Sequence, residues 1–274
     1  MTRKAFVIGH PIHHSRSPLI HGQWLAEHAI DGRYDAIDVT PDALQGFFER
    51  LRSGEFVGGN VTIPHKQAVF ALCDRVDPLA TAIGAVNTLA VRDGRIEGSN
   101  TDYLGFLGNL DARAPGWDRP GRPAIVLGAG GAARAVLVAL QSRGLAVHLL
   151  NRTWANAQAL ALEFGDITPG TLDDFNTTAP NAGLVVNTTS IGMHGSRFDG
   201  LDLDRLPHDA LVTDIVYVPL QTPLLAEAAA RGLRTVDGLG MLLHQAVPGF
   251  EAWFGVRPLV TPDLRASIQA SLET

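Results

Sequence analysis

Apolar positions along this chain keep switching between two periods. Short β-like runs such as KAFVIG and RYDAIDV are each followed by a stretch, PLIHGQWLAEHA or PDALQGFFERLRS, whose apolar residues return every third or fourth position. The first period fits a strand and the second an amphipathic helix. Their alternation predicts βα units and parallel sheets. Four helix starts share one device. Ser17-Pro18, Thr40-Pro41, Thr222-Pro223 and Thr261-Pro262 each set a hydroxyl at the N-cap and a proline at the first helical position. Gly54, Gly144 and Gly232 read as helix stops. NTLAVRDGRIEGS reads as a hairpin turning at Asp93-Gly94, so the first sheet is expected to mix antiparallel with parallel pairs.

A boundary is expected at about residue 103. From RPAIVLGAGG a second βα series runs through AVHLLN, GLVVNTT and ALVTDIVY to TVDG near residue 238. The two closing helices, GMLLHQAVPGFEAWFG and PDLRASIQASLE, have no strands after them and are expected to pack back on the first domain. The expected fold is α/β in two domains. Residues 1–103, completed by 239–274, surround a mixed sheet, and residues 104–238 form a Rossmann-like domain. The loop ARAPGWDRPGRP joins a helix to the next strand, and the VLVAL and LLHQAV stripes are assigned to the core.

Composition narrows the class. The chain has 274 residues, 46% hydrophobic and 18% charged, with a net charge of −6. That balance gives no nucleic-acid footprint, and the scattered basic residues form no membrane patch. Cys73 is the single cysteine, so no intrachain disulfide is expected, and it reads as a small buried apolar residue. No apolar stretch approaches the ~20 residues of a membrane helix, and the N-terminus MTRKAFVIGH lacks the apolar core of a signal peptide. A soluble cytoplasmic protein is expected.

The strand PAIVL runs into Gly128-Ala129-Gly130-Gly131-Ala132-Ala133-Arg134 and then a helical run, the pattern G-x-G-x-x-A. Gly128 permits the tight turn, Gly130 lets backbone approach a pyrophosphate, and Ala133 keeps helix and strand close. The helix N-terminus offers free N–H groups to phosphates. About 20 residues on, a free ribose 2′-hydroxyl usually meets an acid. Here AVHLL ends in Asn151-Arg152-Thr153, with no acid, and Arg152 suits a 2′-phosphate. The cofactor indicated is NADP.

In GGNVTIPHK, residues 58–66, a strand over VTI would turn Asn60 and Thr62 to one face, with Lys66 reaching back past the Pro64 break. Further polar clusters sit at Ala85-Val86-Asn87-Thr88, at Asn100-Thr101-Asp102 and at His14-Ser15-Arg16-Ser17-Pro18. Hydroxyls, amides, an acid and a lysine suit a small polyhydroxy acid. Arg16, if that loop is extended, points away from the two serines. His10, His13, His14 and His21 are read as crowding the first loop, and His65 and His244 flank candidate residues, but no spacing matches a metal pattern.

The chain resembles the shikimate dehydrogenase family. HSRSP, NVTIPHK, GAVNT, NTD, GAGGAAR, NRT, NTTSIGM, YVPLQTP and DGLGMLLHQA follow in the family's order over essentially the whole sequence. The resemblance implies two α/β domains with a cleft between them, a substrate domain and an NADP-binding domain. It also implies NADP(H)-dependent interconversion of 3-dehydroshikimate and shikimate within aromatic amino-acid biosynthesis. It implies that Ser15 and Ser17 hold the substrate carboxylate, and that Asn60, Thr62, Asn87, Asp102 and Gln245 hold its hydroxyls, with Tyr217 nearby. It places Met241 and the backbone of Ile215 and Gly238 by the nicotinamide. Lys66 and Asp102 would form the acid–base pair, since reducing a ketone needs a proton for the oxygen as well as a hydride for the carbon.

Two positions depart from the family pattern. The second basic residue that commonly follows NRT is Asn156 here, which predicts a weaker preference for NADP. Ser99 and Tyr103 replace the usual neighbours of NTD, and Tyr103 either narrows the site entrance or packs between the domains. Trp154 either stacks on the adenine or is an ordinary packing or exposed aromatic. The nearest alternative is a quinate/shikimate dehydrogenase using NAD, against which stand Arg152 and the serine pair. A non-catalytic regulator that binds shikimate would be expected to lose Lys66 or Asp102, or to carry a DNA-binding domain. A folate-linked dehydrogenase would not need the full motif set. The sequence leaves monomer against homodimer open, along with activity on quinate.

Overall fold

The structure, a computed structural model, describes residues 2–272. The chain divides into two compact units, Met1–Thr101 with Leu243–Thr274, and Asp102–Leu242.

The first unit contains β1 (Arg3–Gly9), α1 (Ser17–Glu27), β2 (Gly32–Asp38), α2 (Leu44–Arg52), β3 (Gly58–Val61), β4 (Arg75–Val76), α3 (Pro78–Ile83), β5 (Thr88–Arg92) and β6 (Arg95–Ser99). Its sheet runs β2-β1-β3-β5-β6-β4. β1 pairs in parallel with β2 and β3, whereas β5 is antiparallel to both β3 and β6. The hairpin turns at Asp93 and Gly94, both left-handed at φ 51° and 73°, as a type I′ turn requires. One sheet face carries Phe6, Ile8, Val61, Leu89 and Ile96 against Phe47, Phe48 and Leu51 of α2. Residues of the alternate register face the other way, so Asn60 lies between Val7 and Thr88 in the pairing. Gly58 answers for half of the double glycine. Its φ is 150°, and a Cβ there would stand 2.3 Å from the Trp253 indole nitrogen, which donates to the Leu89 carbonyl at 2.8 Å.

The second unit contains α4 (Asp102–Arg113), β7 (Ala124–Leu127), α5 (Gly131–Ser142), β8 (Val147–Leu150), α6 (Trp154–Phe164), β9 (Ile167–Gly170), α7 (Phe175–Thr178), β10 (Leu184–Asn187), β11 (Ile191–His194), β12 (Leu211–Asp214), α8 (Pro223–Ala230) and β13 (Arg234–Val236). All pairs of its six-stranded sheet are parallel, in the order β13-β12-β10-β7-β8-β9. Counted from β7, this is the 3-2-1-4-5-6 order of a doubly wound dinucleotide fold, whose switch point lies between β7 and β10. Val136, Leu137, Ala139 and Leu140 of α5 are fully buried against it. The last helices are α9 (Leu239–Phe254), which begins in this unit and crosses the division at residue 243, and α10 (Pro262–Ala270), in the first. Among the described residues no helix is long and apolar enough to cross a membrane.

Several local expectations change. Thr222 and Thr261 cap their helices, accepting from Leu225 N at 3.4 Å and Leu264 N at 3.1 Å. Thr40 stands before a 3₁₀ turn with no side-chain bond, and Ser17 lies inside the first turn of α1 with Arg16 at the N-cap. Ser17's own N–H bonds Ser15 Oγ at 3.3 Å instead. The same device occurs unforeseen at Asp77-Pro78, where the carboxylate accepts from Ala80 N at 2.6 Å. β3 stops at Val61, so VTI is not a strand. Thr62 N–H still bonds the Ile8 carbonyl at 2.9 Å, but the cis Ile63–Pro64 bond then turns the chain. Arg16 is helical rather than extended, so alternation does not turn its side chain away from the serines. Cys73 is half-buried, its thiol pushed up to about 12 by burial.

Candidate active site

The C-terminal ends of the second unit's strands make a groove of about 390 Å³. Gly128 to Gly130, Asn151 to Thr153, Asn156 and Thr188 to Ile191 line it. Gly128 has φ 100°, and a Cβ there would stand 2.4 Å from Thr189 Cγ2. Gly130 differs: its backbone is extended, and a Cβ on it would meet no atom within 4 Å. Neither backbone conformation nor internal packing requires glycine at 130. What the missing side chain leaves is space over the start of α5, where no side chain caps the first N–H groups. The donor set and the cradle fit a pyrophosphate. Ala132 lies in the first turn of α5, and Ala133 is fully buried.

Asn151 braces this loop. Its Oδ1 accepts from Ala129 N at 3.2 Å and its Nδ2 donates to the Thr153 carbonyl at 2.9 Å. Arg152 is exposed, and it is the only cation among the lining residues. Arg134, one turn into α5, is committed to Glu163 at 2.9 Å and lies over the Phe164 ring. Asn156 does line the groove, so the missing second cation is missing from the right place. Trp154 is 47% exposed, and Tyr103 packs against this unit's core. Ile215 and Gly238 meet through backbone: a Cβ at Gly238 would be 2.4 Å from the Ile215 carbonyl oxygen. Met241 N bonds the Gly238 carbonyl at 3.1 Å, which gathers these three candidates.

Two residues here had no assigned role. Asn187, fully buried, donates to Asp214 Oδ1 at 2.9 Å and to the Ile191 carbonyl at 2.7 Å. Asp214 also accepts from Val216 N at 2.9 Å and Thr222 Oγ1 at 2.7 Å. Burial pushes its carboxyl up, and the bonds from Thr222, Asn187 and Val216 pull it partly back. Together they tie the NTTSIGM loop to the loop that carries Ile215 and Tyr217. The signal was present: each is a polar residue closing a buried parallel strand, Asn187 after LVV and Asp214 after LVT.

In the first unit hydrogen bonds join the segments that carry Asn60, Lys66 and Asn87. Val61 N donates to the Asn87 carbonyl at 2.8 Å, and Val86 N to the Lys66 carbonyl at 2.9 Å. The turn carrying half-buried Lys66 is held by His65, whose Nε2 meets the Val39 carbonyl at 2.6 Å. Asn60 donates both amide hydrogens to protein, to the Asn87 carbonyl and Thr88 Oγ1 at 3.2 Å each. It accepts from Tyr34 Oη at 2.6 Å. What Asn60 retains for a ligand is the second lone pair of Oδ1, which makes it an acceptor there rather than a donor. Asn87 accepts from Thr101 N at 2.8 Å, which fixes the chain one residue before Asp102, the first residue of α4. Ser15 is half-buried and Ser17 buried, while Thr62 is half-buried beyond β3. Gln245 is 9% exposed on α9, and Tyr217 is half-buried after β12. Thr88, Thr101 and Tyr34 were not among the candidates. The two threonines sit inside quoted motifs, but Tyr34 reads as an ordinary strand aromatic.

Beneath Tyr34 lies His21, 0% exposed and stacked on the phenol ring at 4.0 Å. Burial lowers its pKa to about 3; the Asn60 amide lies close enough to offset this in part. It lies outside hydrogen-bond geometry, so neither ring nitrogen has a partner. His21 is therefore a neutral core ring rather than a loop residue.

Comparison with known proteins accounts for both units. The family model for the shikimate dehydrogenase substrate binding domain matches residues 7–89. Those for shikimate/quinate 5-dehydrogenase and for the shikimate 5'-dehydrogenase C-terminal domain match 118–217 and 238–266. A shikimate dehydrogenase (NADP(+)) from Mesorhizobium japonicum is 58% identical over 273 residues, covering 99% of this chain and 97% of its own. The Thermus thermophilus shikimate 5-dehydrogenase, solved in complex with NADP(H) and shikimate, superposes with a TM-score of 0.88 at 39% identity, covering 98% and 99% of the two chains. A quinate dehydrogenase from Corynebacterium glutamicum, solved with NAD, reaches 0.89 at 30% identity, covering 98% and 99%. With a dinucleotide groove in one unit, an amide and hydroxyl cluster beside a lysine in the other, and these matches over nearly the whole length, the chain belongs to the shikimate dehydrogenase family.

Proposed function

We propose that this protein is a shikimate dehydrogenase of the cytoplasm, interconverting 3-dehydroshikimate and shikimate with NADP(H) in aromatic amino-acid biosynthesis. The second unit, Asp102–Leu242, is the cofactor unit, and the first, Met1–Thr101 with Leu243–Thr274, is the substrate unit. The observation that carries this reading is Gly130: an extended glycine with open space where a Cβ would stand, at an uncapped helix start beside Arg152. Gly128 to Ala132 would hold the pyrophosphate. Arg152, with Asn151 and Thr153, would hold the 2′-phosphate, and Ile215, Gly238 and Met241 would meet the nicotinamide. When bound, NADP supplies or accepts the hydride.

The chain's own residues handle the rest. Ser15 and Ser17 take the carboxylate through their hydroxyls. Asn60, Thr62, Asn87 and Gln245 take the ring hydroxyls, with Tyr217 beside them. The Lys66 ammonium stabilises negative charge developing on the substrate oxygen and gives it a proton during reduction, taking one back during oxidation. Asp102 orients that hydroxyl and Lys66. The test is a spectrophotometric assay of reduced nicotinamide, crossing shikimate and quinate with NADP and NAD. Turnover of shikimate with NADP as the best pair is the expected result. Quinate with NAD as the best pair would refute the reading.

A further inference from the structure

The first unit holds a buried hydrogen-bonded chain that starts at Tyr34 on β2. Tyr34 is 6% exposed, and its hydroxyl donates to Asn60 Oδ1 at 2.6 Å. Asn60 Nδ2 donates to the Asn87 carbonyl and to Thr88 Oγ1, both at 3.2 Å. Thr88 Oγ1 donates on to Asn87 Oδ1 at 2.9 Å, and Asn87 Nδ2 donates to Thr101 Oγ1 at 3.1 Å. The polarity is determined. The Asn87 carbonyl can only accept, so it fixes which end of the Asn60 amide is nitrogen. The amide oxygen then needs a donor, and in this dry setting the donor is Tyr34.

The surroundings keep that phenol in place. His21 stacks on it at 4.0 Å with the planes 18° apart, and Trp253 lies 5.8 Å from its ring. Trp24, Phe250 and Trp253 pack around His21 at 5.6, 5.9 and 5.4 Å. Ser17, buried at the start of α1, lies near the same hydroxyl. The phenol oxygen thus bonds a residue assigned to the substrate hydroxyls and lies near one assigned to its carboxylate.

We propose that Tyr34 is a positioning residue of the substrate site, holding Asn60, and through Thr88 also Asn87, in the amide orientation that receives the substrate hydroxyls. The inference rests on the assignment of Asn60 and Asn87 to substrate binding. Removing the phenol hydroxyl strands Asn60 Oδ1 on a side chain only 5% exposed. The amide can then find a new donor only by giving up its bonds to Asn87 and Thr88.

The experiment is Tyr34→Phe in the full-length enzyme, which keeps the ring stacked on His21. The KM for shikimate is expected to rise roughly tenfold, the effect of one hydrogen bond, while the KM for NADP stays unchanged. Thr88→Val, which cuts the chain one link further on, is expected to give the same shikimate-specific rise and stands in if the first variant does not fold. In an Asn60→Ala background the Tyr34→Phe change is expected to add less than about twofold, since it acts through Asn60. An unmoved shikimate KM in both variants overturns the proposal, as does a Tyr34→Phe effect that persists in full without Asn60. Wild-type enzyme inactive on shikimate overturns the functional reading along with it; an active wild type with unmoved variants overturns this proposal alone.

Discussion

His21 makes a pH-dependent contribution whose sign and size can be worked out. In the unfolded chain its imidazole titrates near 6.5, and in the fold burial lowers it to about 3. The groups facing it are Tyr34, Trp24, Phe250 and Trp253, with the Asn60 amide beside it, and no charged side chain is among them. Between these two values the unfolded state binds a proton that the folded state refuses, so stability is fully present above 6.5 and falls as pH drops. At roughly 1.4 kcal/mol per pH unit, the loss is about 2 kcal/mol at pH 5 and between about 4 and 5 kcal/mol at pH 3. The assay is urea unfolding followed by the fluorescence of Trp24 and Trp253, with Trp117 and Trp154 replaced by Phe so that only the first unit reports. His21→Phe keeps a flat apolar ring and removes the titration. Carboxylates held low by arginines, such as Asp74 by Arg52, also lose stability on acidification, but equally in both proteins. The wild-type stability should therefore fall about 2 kcal/mol further than the variant's between pH 7 and pH 5. Parallel curves over that range would show that the ring is not held neutral in the core.

Four further outcomes are expected. Lys66→Ala should cut kcat by ~10²–10⁴ while NADP affinity, read by fluorescence titration, is unchanged; near-normal turnover would remove Lys66 from the chemistry. Arg152→Ala should lower kcat/KM with NADP by roughly ten- to a hundredfold and leave NAD within about twofold. In the unmutated enzyme, Asn156 in place of a cation should leave the preference for NADP weaker than in relatives with a second basic residue, and a very large preference would contradict this. Cys73, with its thiol pushed up to about 12, should react with iodoacetamide at neutral pH far more slowly than a free thiol, and at the ordinary rate once urea exposes it. Ordinary reactivity in the folded protein would contradict the burial.

The sequence by itself determined the alternation of strands and helices in two α/β series, because the main elements carry their own period and their own stops. Gly54, Gly144 and Gly232 ended helices at φ 80°, 70° and 75°, and Asp93-Gly94 made the hairpin, since these conformations are properties of single residues. The glycine loop and Arg152 were legible for the same reason: a strand, a turn and a helix start lie within a few consecutive residues. Tertiary structure decided what needs partners from distant segments. Ser17 does not cap α1, because the folded chain puts Arg16 at the N-cap and buries Ser17 inside the first turn. Asn60 became an acceptor only because the Asn87 carbonyl and Thr88 take both its hydrogens. Asn187 and Asp214, 27 residues apart in sequence, meet because parallel strands bring their C-terminal ends side by side. A hydrogen bond is a relation between two groups, and local sequence specifies only one of them.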